Sequence, residues 1–198
     1  MLSVMYALLC IAAPCALYQF IICKRKNIKG EHKVTHIVWV YIFLFYIFLA
    51  FSAAGIGSIW DVGCYDTIIR LEEINLLPFQ SEGIMTYALN VVMFMPFGFL
   101  IPMIWKQYRR PVKIFLAGFL FSSAIEFCQL FNRRNTDIDD LMMNTIGAVI
   151  GYFIWKLTKR LFRNINKKAI SLSDTEPVVY LTLAVLGEFL LYNWRLFL

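Results

Sequence analysis

The sequence predicts an all-α integral membrane protein, a bundle of about six transmembrane helices joined by short loops. Three observations predict it. Sixty per cent of the 198 residues are apolar, against about 45–50% in soluble domains. The charged residues make up 16% of the chain and gather in short strips between long apolar runs. Those runs are continuous, whereas a membrane β-barrel shows alternating segments of about ten residues. The mean hydropathy is +0.66. A soluble enzyme, a disordered chain and a disulfide scaffold are excluded on this composition. The net charge of +6 reflects membrane topology and not nucleic-acid binding, because the charges are patterned by loop.

The runs are Leu2–Ile22, Val34–Ile56, Ile84–Trp105, Val112–Phe131, Leu141–Leu157 and Val178–Leu198. Each reaches or approaches the roughly 20 residues that cross about 30 Å of hydrocarbon. The fifth is the shortest and is expected to begin near Ile138. The third is interrupted by Pro96, Gly98 and Pro102, which either open it towards a cavity or only bend it. No internal repeat or linker composition divides the chain, so residues 1–198 are read as one transmembrane domain.

Lysine and arginine set the orientation. Residues 23–33 carry five Lys/Arg against one acid, 106–113 carry four against none, and 156–177 carry six against two. Residues 57–83 carry one Arg against five acids, and 132–140 carry two Arg against three Asp. The first three strips are assigned to the cytoplasm, which places the acidic connections and both termini outside. The basic residues Lys24–Lys26 follow the first apolar run instead of preceding it, so the run is read as a retained helix and not a cleaved signal. His32 and His36 lie on the basic side, and the five cysteines show no zinc spacing; no metal site is assigned. Glu188, with Asn193 and Arg195 nearby, is read as helix packing.

One constellation carries chemical information. Glu126 lies in the body of the fourth run, where an ionisable group costs about 2.5–3.5 kcal/mol or more unless it finds partners. Ser122, Glu126, Gln129 and Arg133 stand at i, i+4, i+7 and i+11, one helical stripe. Asp140, Asn144, Gly147 and Gly151 repeat that spacing in the fifth run, and Gly147 and Gly151 permit close helix approach. The two stripes are expected to face each other across the short connection, with Glu126 and Asn144 at similar depth. Asn90 of the third run falls at a comparable depth, and Asn75-Leu-Leu-Pro78-Phe79 precedes it as an interfacial or re-entrant segment. An outer-leaflet cavity would then collect Asn90, Ser122, Ser123, Glu126, Gln129, Arg134, Asp137, Asp140 and Asn144.

Each group has more than one chemical use. Glu126 is a general acid or base with a burial-raised pKa, or an ion-pair partner of Arg133 or Arg134. Asp137, Asp139 and Asp140 could ligate a divalent cation, or form a solvated turn in which Asp140 caps the fifth helix. Arg134 could fork onto a phosphate or carboxylate. Ser122 and Ser123 could include a nucleophile, or bond back to the preceding turn.

Two segments resemble the VanZ family. One is Phe121-Ser-Ser-Ala-Ile-Glu126-Phe-Cys-Gln129 followed by Arg134-x-x-Asp137-x-Asp139-Asp140-x-x-x-Asn144-Thr-x-Gly147. The other is Asn75-Leu-Leu-Pro78-Phe79 followed by Asn90 and Pro96-Phe-Gly98-Phe-Leu100. The resemblance covers roughly 75–152. It implies a multi-pass protein of the bacterial cytoplasmic membrane, and the family's named member is associated with low-level resistance to teicoplanin, a lipid-bearing glycopeptide. On this basis the expected ligand is a membrane lipid or lipid-bearing molecule, a lipoglycopeptide or a cell-wall precursor. Asn75, Asn90, Ser122, Ser123, Gln129, Arg134, Asp137, Asp140 and Asn144 are the candidate binding residues. The alternative is a membrane-embedded enzyme acting on a lipid-linked cell-wall substrate, with Glu126 as general acid/base. A transporter is less well supported, because no continuous polar path or inverted repeat is visible.

Overall fold

The computed structural model describes residues 2–26, 31–62, 64, 74–75, 77–79, 83–132, 136–161 and 173–197. Six helices account for most of them: α1 (Leu2–Lys26), α2 (Glu31–Ala54), α3 (Ile84–Ile104), α4 (Pro111–Gln129), α5 (Ile138–Leu161) and α6 (Glu176–Leu186). The first five are long and apolar enough to cross a membrane. The sixth differs from its expectation. Its α-helical part ends at Leu186, a π-helical turn carries it through Gly187–Leu191, and Tyr192 is extended. Close packing coincides with the change of winding: Gly187 lies against the Cys10 carbonyl of α1, where a side chain would collide. The turn buries Glu188, and a short 3-10 turn, Trp194–Phe197, follows.

α3 and α5 form the centre. Gly147 and Gly151 of α5 lie on the Val91 and Met95 carbonyls of α3, and Gly98 of α3 lies on the Ala148 carbonyl of α5; a Cβ at any of the three would strike backbone. Gly118 of α4 packs on Ala148 from the other side, where an added Cβ would be 2.7 Å from the alanine methyl. In hydrocarbon, such backbone proximity is a main source of helix association. The α5 glycines therefore join it to α3, and not to α4 as the short α4–α5 connection suggested. α3 continues unbroken through Pro96. Proline cannot donate to the carbonyl four residues back, that of Val92; the neighbouring Met93 carbonyl accepts the Tyr46 hydroxyl at 2.9 Å.

Around this wedge Phe43 and Phe51 of α2, Phe94 and Phe97 of α3 and Phe121 of α4 form a continuous aromatic core. Phe97 and Phe121 stack with centroids 5.0 Å apart. Leu, Ile and Phe side chains face outward on the long helices, as lipid contact requires. α1 packs on α6. At the basic end, His36 of α2 meets the fully buried Glu176 of α6 at 2.7 Å, tying the last helix to the core. At the opposite, acidic end, α2 stops at Gly55 in the left-handed region (φ 62°), with its amide bonded to the Phe51 carbonyl, a glycine C-cap.

Gly98→Val is expected to leave no folded protein, since the new side chain would occupy the Ala148 carbonyl. Gly83→Ala, with open space around it, should melt within a few degrees of the parent. Thermal unfolding in detergent, read by fluorescence-detected size exclusion, distinguishes the two. His36→Leu, which removes the histidine partner of the buried Glu176, should lower the melting temperature clearly below that of Gly83→Ala in the same assay.

Candidate functional site at the acidic end of α3, α4 and α5

Where α4 ends and α5 begins, carboxylates accept hydrogen bonds from nearby backbone and side chains. Asp137 is the N-cap of α5: its carboxylate accepts the Asp139 amide at 2.9 Å, satisfying a helix-terminal N–H. This is the role the sequence assigned to Asp140. The Asp137 amide in turn donates to the buried Glu126 carboxylate of α4 at 3.2 Å. The intramembrane acid is thus reached by the backbone of its own hairpin.

The segment before α3 is held on this hairpin. Residues Ile74–Asn75 pair in parallel with Thr136–Asp137, and the Asn75 amide donates to the Asp137 carboxylate at 3.4 Å. The Asn75 side chain also turns the chain by accepting the Leu77 amide at 3.1 Å. Asp139, which has no exposed surface, accepts the Phe79 amide on both oxygens, at 3.0 and 2.9 Å. It also accepts the Tyr87 hydroxyl of α3 at 2.8 Å. Phe79 has φ 63°, a region costly for a side chain of its size. The doubled hydrogen bond to Asp139 offsets that strain. Leu77 and Phe79 themselves stay exposed, so an apolar turn stands beside the carboxylates.

The next residue of α5, Asp140, reaches across to α3 and accepts the Asn90 amide. Deeper again, the Asn144 amide donates to Ser122 of α4 at 3.0 Å. The Asn144 Oδ1 is buried and has no hydrogen-bond partner among the described residues, so an acceptor inside the wedge is left open. Acceptors predominate: the carboxylates of Glu126, Asp137, Asp139 and Asp140 and the Asn144 carbonyl. The carboxylates already accept donors of the protein, and the acceptor left open is the Asn144 carbonyl. Asp137, Asp139 and Asp140 do not converge on one point, and among the described residues no group of three His, Cys, Asp or Glu side chains could hold a metal ion.

The VanZ/LLP1 family profile matches residues 37–162, from α2 to the end of α5. The chain belongs to the VanZ/LLP1 family. It is 28% identical over 129 residues to Protein VanZ of Enterococcus faecium, covering 62% of this chain and 73% of that one. No solved structure matches it significantly.

Of the expected site residues in this VanZ-family chain, the structure brings together Asn75, Asn90, Ser122, Glu126, Asp137, Asp140 and Asn144. Two others it turns away. Ser123 bonds back to the Phe119 carbonyl at 2.8 Å, the usual use of a membrane-helix serine. Gln129 donates to the Ala54 carbonyl at 2.8 Å, and Asn132 donates to the Gly55 carbonyl at 2.7 Å. The α2 C-terminus has unpaired carbonyls and draws these amides off the stripe. Arg133 and Arg134 lie outside the described residues. The depths also differ from the expectation. Ser122, and not Glu126, is level with Asn144; Glu126 sits one turn, about 6 Å, nearer the acidic end. The sequence reading left Tyr87 out of the site; its signal was its position three residues before Asn90, on the same α3 face.

Asp139→Ala should release the Leu77–Phe79 turn. The expected loss is about 1–3 kcal/mol of stability, because a backbone amide and a phenol lose their shared acceptor together, accompanied by new proteolytic cleavage between residues 74 and 83. Tyr87→Phe should cost about 1 kcal/mol in the same unfolding assay and leave the turn protected.

Proposed function

We propose that the acidic end of the α3–α4–α5 wedge faces the cell exterior and is a binding site for a lipid-bearing ligand, through which this envelope protein contributes to resistance to teicoplanin-type lipoglycopeptides. The observation that carries the reading is the placement of an exposed apolar turn, Leu77 and Phe79, beside a cluster of carboxylates that ends in the open Asn144 acceptor. The Asn144 acceptor suits an amide, ammonium or hydroxyl donor of a glycopeptide head, and the turn suits its acyl tail at the membrane surface. The basic connections then face the cytoplasm, consistent with their lysine and arginine content. The family relationship supports the setting, and the chemistry is argued from the site.

Binding is favoured over acid/base catalysis by one feature. The Glu126 carboxylate already serves as acceptor for the Asp137 amide, so its first use is to fix the hairpin.

Titration of the full chain in nanodiscs tests the reading. Teicoplanin should bind at least about tenfold more tightly than vancomycin, which lacks the acyl tail, and equal or absent binding of both would refute it. Asn144→Leu should weaken teicoplanin about tenfold, as loss of a buried polar partner costs about 1–3 kcal/mol. Glu126→Gln keeps an acceptor for the Asp137 amide. It should retain binding and resistance within about threefold, whereas complete loss of resistance with intact binding would point to catalysis instead.

A further inference from the structure

A second feature lies on the opposite half of the molecule and shares no residue with the acidic site. Between α4 and α6 a groove of about 700 Å³ runs from the basic end towards mid-bundle. Leu116, Leu120, Leu181 and Val185 line its walls, and small residues such as Ala117 and Ala124 leave it room. From Lys113 at one end to Ala124 at the other, α4 rises about 16 Å at about 1.5 Å per residue. That is close to half of a hydrocarbon core of about 30 Å, the depth of one leaflet. The groove therefore has the length of one lipid tail and is apolar where a tail would lie.

Its mouth has both signs of charge. Lys113, Asp174, Tyr108 and Gln107 line it. The Gln107 amide donates to the Ser173 and Asp174 carbonyls at 3.4 and 3.3 Å, which fixes the start of α6 against the α3–α4 connection. The Lys113 ammonium lies 5.8 Å from the centre of the Tyr108 ring. Lys113 and Asp174 are both exposed. No salt bridge joins the two. Arg109 nearby is engaged elsewhere, donating to the Pro102 carbonyl at 3.0 Å and lying over the Trp155 ring. One cation and one anion, unpaired with each other at the mouth of a leaflet-deep apolar groove, complement a head that itself carries an anion and a cation.

We infer that the α4–α6 groove holds a glycerophospholipid of the leaflet on the basic side, one whose head carries both a phosphate and a primary ammonium. The tail occupies the groove, the phosphate meets Lys113, and the ammonium donates to the Asp174 carboxylate. A trimethylated ammonium has no N–H to give, and a purely anionic head leaves Asp174 facing negative charge. The groove thus discriminates among phospholipids that share the same tails.

Native mass spectrometry of the full chain, equilibrated with phosphatidylethanolamine, phosphatidylcholine and phosphatidylglycerol of identical acyl composition, tests this. Phosphatidylethanolamine should be retained about threefold to fivefold over each of the others, the scale of one exposed charge pair. Asp174→Asn should abolish that preference, and Lys113→Gln should lower retention of all three. Both residues are exposed, so these variants should melt as the parent does. Thr182→Trp, which fills the groove, should remove the retained lipid. Equal retention of the three lipids, or a preference unchanged in Asp174→Asn, would overturn the proposal. So would a lipid-free dimer whose contact is broken by Thr182→Trp, since a second copy would then be the occupant.

Discussion

The backbone contact between α3 and α5 sets the rest of the molecule. Gly98, Gly147 and Gly151 bring the two helices together until a Cβ at any of them would strike the facing backbone. Lipid offers no hydrophobic drive for helix association, so close van der Waals approach supplies much of the attraction. The register of that approach brings Asn90 opposite Asp140 and Tyr87 opposite Asp139. A slip of one turn would part Asp140 from Asn90 and Asp139 from Tyr87. Small residues thus decide where the polar residues meet.

The acidic end shows how a membrane protein uses costly groups. Asp139 meets one backbone amide and one phenol, Asp137 caps α5, and Glu126 takes the amide of Asp137. Each acid answers a donor that would otherwise be unsatisfied in a region poor in water. The result is a hydrogen-bonded junction of three helix ends and one turn, with exposed Leu77 and Phe79 at its rim. The basic end is built differently. There the buried His36–Glu176 pair anchors α6, and an open groove separates α6 from α4.

The sequence by itself determined the class of the protein, the position of five helices to within a few residues, and most of the polar constellation. Apolar runs of membrane length have few alternatives to helix in hydrocarbon, and the spacing of Ser122 with Glu126 and of Asp140 with Asn144 fixes shared faces whatever the packing. Tertiary structure decided which neighbour each face met. Spacing could not show that the α5 glycines would join α3, that Gln129 would leave its stripe to cap the end of α2, or that Asp137 and not Asp140 would cap α5. It could not show that Gly187, pressed on Cys10, would coincide with a π turn in α6. Periodicity reports direction around one helix axis. The partner in that direction is set by distances between axes, and those follow from packing across the whole bundle.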